Sequence, residues 1–133
     1  MVRMDPEEGQ QNMAEDSRPR ILVMEDDPNL SELYAEALGL EGYHVDSART
    51  IAQARSLLAA NKYRVFLCDM QIGRDRSTDL LREILDTADK MQVIMLSGLG
   101  QYQAEAMAMG VDFFLAKPIE IPDLVALIDR LAK

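Results

Sequence analysis

At 133 residues with 48% hydrophobic content, the chain has the length of one ordinary domain and enough apolar material for a sizeable core, so two full domains are excluded. A charged fraction of 28% argues against general disorder, and no stretch approaches the ~20 apolar residues that a membrane-spanning helix requires. The formal net charge of −9 sets the domain against phosphate backbones, so direct nucleic-acid binding is not expected. One cysteine cannot close a disulfide within the chain, and the acidic, polar N-terminus does not read as a secretory signal, so a reducing cytoplasm is the expected compartment.

Residues 1–19 carry Asp5, Glu7, Glu8, Glu15 and Asp16 against Arg3 and Arg18, with few large apolar side chains, and read as a flexible acidic tail. The folded unit is expected over 20–133. Ile21 to Met24 is a short apolar run ending in Glu25-Asp26-Asp27, the pattern of a strand buried on both faces. Asp27-Pro28 is a cap and first-turn signal, and Leu30, Leu33, Tyr34, Ala37 and Leu38 form the stripe of a helix that stops near Gly42. Tyr43 to Ala48 reads as a second strand, and Thr50 as the cap of a second helix with Ile51, Ala54, Leu57 and Leu58 inward. A third strand, Arg64 to Cys68, ends in Asp69.

Met70 to Ser77 reads as a polar loop containing Gly73. Leu80, Leu81, Ile84, Leu85 and Ala88 mark helix three, and Gln92 to Leu96 marks strand four, which runs into Ser97-Gly98. A weakly amphipathic helix follows from Tyr102 to Met109, then strand five from Val111 to Ala116, interrupted by Lys117-Pro118. Leu124, Val125, Leu127, Ile128 and Leu131 define the last helix. Five strands alternating with five helices over short connections predict a doubly wound α/β domain with one parallel sheet. In such sheets ligands bind beyond the C-terminal strand ends, so the residues closing each strand are the candidate site.

Those residues are Glu25-Asp26-Asp27, Asp69, Ser97 and Lys117. Clustered carboxylates disfavour one another's charge unless a cation neutralises them, and hard oxygen donors suit a magnesium ion that keeps several waters. A hydroxyl and an ammonium beside that ion would meet the non-bridging oxygens of a phosphoryl group. The set predicts metal-assisted phosphoryl transfer. Asp27 reads only as a helix cap, Cys68 as a small buried hydrophobe, His44 as structural or surface, and the nine methionines as core or tail residues.

The blocks Ile21-Leu22-Val23-Met24-Glu25-Asp26-Asp27-Pro28, Phe66-Leu67-Cys68-Asp69-Met70-Gln71, Val93-Ile94-Met95-Leu96-Ser97-Gly98 and Phe113-Phe114-Leu115-Ala116-Lys117-Pro118 resemble, in that order, the response-regulator receiver domains of bacterial two-component signalling. The resemblance spans about residues 20–133 and implies the flavodoxin-like strand order 2-1-3-4-5. It implies that Asp69 accepts a phosphoryl group from a histidine kinase or histidine phosphotransfer protein. It further implies that Asp26 and Asp69 bind Mg2+, with Glu25 acting through water and the Gln71 backbone carbonyl completing the ligands. Ser97 and Lys117 would grip phosphoryl oxygens, Ser97 and Phe114 would form the switch, and the Lys117-Pro118 peptide would be cis. A downstream protein would read the face of helix four, strand five and helix five, through which relatives also form homodimers. At that position of the family pattern, the small Gly98 would leave the acyl phosphate accessible.

Two positions depart from the family pattern. Gly73 stands where relatives usually have proline, and Arg76-Ser77 stands where they have Asp-Gly, so the loop after Asp69 is expected to be more mobile. Three rival readings compete with this one. An aspartyl-phosphate phosphatase, the enzyme reading, lacks its second acid because Gln71 occupies that position. A dinucleotide-binding domain lacks the glycine fingerprint, since Asp27-Pro28-Asn29 follows strand one. A receiver-like scaffold that binds partners without phosphorylation is the alternative that stays open. With no further domain after the last helix of the sequence as given, output is expected through protein–protein contact.

Overall fold

The computed structural model describes residues 17–86 and 90–133. The expected tail over 1–19 lies outside them up to position 16, as does the helix-three position Ala88. Each apolar run becomes a strand: β1 (Arg20–Met24), β2 (His44–Ala48), β3 (Val65–Asp69), β4 (Gln92–Ser97) and β5 (Phe113–Ala116). They form one five-stranded sheet in the order β2-β1-β3-β4-β5, parallel throughout, with Met24 paired to Ala48 and Cys68, and Asp69 to Leu96. The predicted flavodoxin-like order is the observed one.

Four helices connect successive strands, α1 (Pro28–Leu40), α2 (Ile51–Ala60), α3 (Thr78–Leu85) and α4 (Gln103–Met109), and α5 (Ile121–Ala132) follows β5. A single 3-10 turn, Gly100–Tyr102, leads into α4. Because side chains alternate across a strand, the central strands feed two cores. Leu22, Met24, Phe66, Cys68, Val93 and Met95 pack with α2, α3 and α4. Ile21, Val23, Val65, Leu67, Ile94 and Leu96 pack with α1 and α5. Phe113 and Phe114 go to opposite cores, as their adjacency requires. Among the described residues no helix is long and apolar enough to cross a membrane.

Local signals were read correctly at the helix starts. Asp27 Oδ1 accepts from the amides of Asn29 (2.9 Å) and Leu30 (3.3 Å), and Thr50 Oγ1 accepts from Gln53 N at 3.0 Å. Two readings need correction. The buried row of α1 is Ser31, Tyr34 and Leu38, whereas Leu33 is 44% exposed, because the helix turns its i, i+3, i+7 row to the sheet. The segment 70–77, expected as a polar loop, is largely exposed but carries regular pairing. Gln71–Ile72 and Asp75–Arg76 form a two-residue antiparallel ladder whose tight turn, Gly73-Arg74, uses the positive φ of Gly73 (61°). Met70, Ile72 and Ser77 in it are buried.

His44 stands on the edge strand β2 with Nε2 3.4 Å from Asp46 Oδ1. Asp46 also accepts from Arg20 Nη2 (2.9 Å) and the Tyr63 hydroxyl (2.7 Å), so His44 belongs to a structural cluster at the sheet edge. Burial pushes the Cys68 thiol up to about 12, which agrees with its reading as an inert small hydrophobe.

Candidate functional site

Parallel pairing brings the C-terminal tips of β1, β3, β4 and β5 to one edge, and the backbone continues the pairing past the strand ends. Glu25 N donates to Ala48 O (3.0 Å), Met70 N to Leu96 O (2.9 Å) and Lys117 N to Ser97 O (2.8 Å). Glu25, Asp69, Ser97 and Lys117 are therefore placed by the sheet itself rather than by long loops. The Lys117–Pro118 peptide is cis.

Lys117 Nζ donates to Glu25 Oε1 at 2.7 Å and to Asp69 Oδ2 at 2.8 Å, and so spans the tips of β1 and β3. Glu25 Oε2 accepts from Asp27 N at 3.4 Å, and Asp69 Oδ1 from Gln71 N at 3.2 Å. Glu25 is 1% and Asp69 5% exposed, while Asp26 is exposed at the rim. Burial first, and the neighbouring Asp69 carboxylate second, push the Glu25 carboxyl up to about 7 against the opposing pull of Lys117. Burial also works against the Lys117 ammonium, but its hydrogen bonds and charge contacts with Asp69 and Glu25 outweigh this and hold it above the ordinary lysine value.

Ligand oxygens of Glu25, Asp26 and Asp69 lie within 4.8 Å of one another. Three carboxylates outnumber the one ammonium, which pairs with Glu25 and Asp69, all donors are hard oxygens, and the exposed Asp26 opens the cluster to water. This donor set fits a magnesium-like cation that keeps part of its hydration shell. Asp26 Oδ2 additionally accepts from Gly73 N at 2.8 Å, so the hairpin tip leans on the outermost acid.

Ser97 is buried at the tip of β4, and its hydroxyl is engaged within its own loop: Oγ accepts from Leu99 N at 3.0 Å and lies 3.4 Å from Leu99 O. Phe114, two strand residues before Ala116, is half-buried against the core beneath α4. Glu25, Asp26, Asp69 and Lys117 are thus brought together, with the Gln71 amide on Asp69. Ser97 closes the neighbouring strand opposite Ala116, and Phe114 lies two register positions below, opposite Met95.

In the sequence Ser77 stands out only as a departure from the family pattern. Its fully buried hydroxyl lies 3.0 Å from Asp69 O and 3.3 Å from Met70 O, bracing the backbone directly under the acid. A hydroxyl where glycine is usual was the available signal.

A doubly wound parallel sheet with an acid cluster, a hydroxyl and a lysine on neighbouring strand tips is the arrangement of a receiver domain. Residues 21–129 match the response regulator receiver domain, and the chain belongs to that family. The response regulator protein PilR of Pseudomonas aeruginosa is 30% identical over 114 residues, which cover 84% of this chain and 26% of PilR. The transcriptional regulatory protein CutR of Streptomyces coelicolor is 28% identical over 86% of this chain and 54% of CutR. The chain thus spans about a quarter to a half of the length of these curated relatives. Among solved structures, a CheY-like receiver domain from Methanospirillum hungatei superposes with TM-score 0.80 at 25% identity, covering 86% of this chain and 93% of that one. The response regulator TrrA of Thermotoga maritima, solved in complex with Mg2+-BeF, gives TM-score 0.76 at 25% identity over 85% of this chain and 98% of that one.

Proposed function

We propose that Asp69 accepts a phosphoryl group from the phosphohistidine of a histidine kinase or histidine phosphotransfer protein, and that this controls a protein-binding face. An Asp69 carboxylate oxygen attacks phosphorus, a P–O bond forms as the P–N bond breaks, and the bonding electron pair leaves with the imidazole. Magnesium, held by Asp26, Asp69 and the Gln71 carbonyl with Glu25 acting through water, would supply positive charge opposite the phosphoryl oxygens. Lys117 Nζ, already on Asp69 Oδ2, shifts its donors to the arriving oxygens and remains paired to Glu25. The observation that carries this reading is that single ammonium bridging buried acids from two strand tips with Asp26 in ligand range.

To donate to a phosphoryl oxygen, the Ser97 hydroxyl turns its proton from Leu99 O and moves off the Leu99 amide. Its movement vacates volume into which Phe114 turns, and the face of α4, β5 and α5 changes shape for a downstream protein. Going from 1:99 to 99:1 requires ~5.5 kcal/mol of differential stabilisation, which several charge-assisted hydrogen bonds to one phosphoryl group can supply. The functional unit is residues 20–133, preceded by an acidic tail, acting in the cytoplasm; homodimerisation through the same face would follow the same switch.

The test is incubation with Mg2+ and a small phosphodonor or beryllofluoride, reading intact mass and the amide shifts of α4, β5 and α5. The parent is expected to gain one phosphoryl group, and Asp69→Ala none. A parent that takes no adduct and shows no metal-dependent shift would overturn phosphoryl acceptance in favour of a constitutive scaffold.

A further inference from the structure

The hairpin after Asp69 touches the acid cluster at one end and the output helix at the other. At its tip, the Gly73 amide donates to Asp26 Oδ2 at 2.8 Å. Across its ladder, Gln71 pairs with Arg76, and Ser77 N closes it onto Met70 O at 2.9 Å. From its second strand Arg76 reaches over to α4, donating from Nη2 to Glu105 Oε1 at 2.8 Å. The Arg76 guanidinium also stacks over the Tyr102 ring, 4.6 Å from the centroid, in the turn that starts α4.

A carboxylate has room for a cation on one lone pair and an N–H on another, so the Gly73 amide orients Asp26 without blocking it. Hydrogen bonds of this kind to a ligating carboxylate tune how well it binds. A two-residue ladder with a tight turn is too small to hold itself, so with Ile72 buried in the core on one side, the placement of its exposed tip and second strand depends on what grips them. Gly73 is held by Asp26, and Arg76 by Glu105 and Tyr102.

We propose that Arg76 is a positioning residue that ties the hairpin to α4, so that engagement of Asp26 by a divalent cation and the placement of α4 depend on each other. This route runs outside Ser97 and Phe114. It rests on the magnesium reading of the acid cluster, and because such coupling is reciprocal, disturbing α4 must alter metal affinity.

The test is Mg2+ titration of the full chain without phosphodonor, following amide shifts and the dissociation constant in the parent, Arg76→Ala, Glu105→Ala and the double variant. In the parent, Mg2+ shifts Gly73 and Tyr102–Ala106 together. In either single variant the α4 shifts vanish while those around Glu25, Asp69 and Gln71 persist. Affinity falls about threefold, the scale of one partly exposed ion pair, and the double variant is no weaker than either single one. Simple charge effects predict opposite signs for the two variants, since deleting Arg76 would tighten Mg2+ binding and deleting Glu105 would weaken it. Tighter binding by Arg76→Ala, additive losses, or α4 shifts that survive both substitutions overturn the coupling and leave the metal site standing. Absence of any shift at Glu25, Asp26 and Asp69 in the parent overturns the metal reading, and this proposal with it.

Discussion

Lys117→Met removes the ammonium that spans Glu25 and Asp69 while keeping most of its apolar stem. At an effective dielectric near 20, contacts of 2.7 and 2.8 Å each represent about 6 kcal/mol of attraction, and carboxylate oxygens within 4.8 Å repel one another by at least about 3.5 kcal/mol. Desolvation of the lysine offsets much of the attraction, and deleting one partner of a buried ion pair costs 3–5 kcal/mol. The Lys117 side chain is 22% exposed, so the lower end applies, about 3 kcal/mol. For a domain of this size that is a fall in Tm of about 12 °C, at roughly 4 °C per kcal/mol. The assay is thermal unfolding by circular dichroism in EDTA. Added Mg2+ then stabilises the variant more than the parent, because the cation no longer shares the acids with an ammonium and its affinity rises. A Tm within 3 °C of the parent in EDTA, or a larger Mg2+ effect on the parent, would refute the placement of Lys117 at the centre of the cluster.

Gly73→Ala forces an alanine to φ 61° with nothing within 4 Å of its Cβ, so its cost is backbone conformation alone, about 1 kcal/mol by denaturant titration, and Gly73→Asn loses less. Asp27→Ala strips the acceptor from two amides of α1 and lowers stability by about 1 kcal/mol, whereas Asp27→Ser retains most of it. Asp46 is held below the usual carboxylate value: burial opposes ionisation, but the hydrogen bonds from Tyr63 and Arg20 outweigh it. Because the folded value lies below the unfolded one, this contribution is complete above about pH 4 and is lost as the pH falls further. The Tm gap between the parent and Asp46→Asn therefore narrows from pH 6 to pH 3, and a gap independent of pH would contradict the cluster.

Much of this was legible because a buried parallel strand is a nearly unbroken apolar run with its functional residue at the end. Ile21–Met24, Phe66–Cys68 and Val93–Leu96 each announce the strand and the position of Glu25, Asp69 or Ser97. The two-core arrangement followed from alternation at Phe113 and Phe114. What stayed hidden depended on contacts distant in sequence. Leu33 fits an apolar stripe as well as Ser31 does not, and only the packing of α1 on the sheet reveals which row is inward. The hairpin was read as a loop because two-residue strands have no periodicity to detect. Its anchors, Gly73 on Asp26 and Arg76 on Glu105, join residues that the chain separates widely. Lys117 at a strand end was visible, but its simultaneous grip on two acids belongs to the tertiary structure.

The backbone bonds from Met70 to Leu96 and from Lys117 to Ser97 carry a broader implication. Adjacent strands in any sheet lie ≈ 4.8 Å apart, so the spacing between neighbouring tip residues is a property of peptide geometry, not of the side chains beneath them. Substitutions accumulating in the two cores alter packing but leave that lattice constant untouched. A relative can therefore differ at three of every four aligned positions, as the Methanospirillum hungatei domain does, and still superpose closely on this chain. Divergence is absorbed under the sheet while the tip geometry is inherited intact.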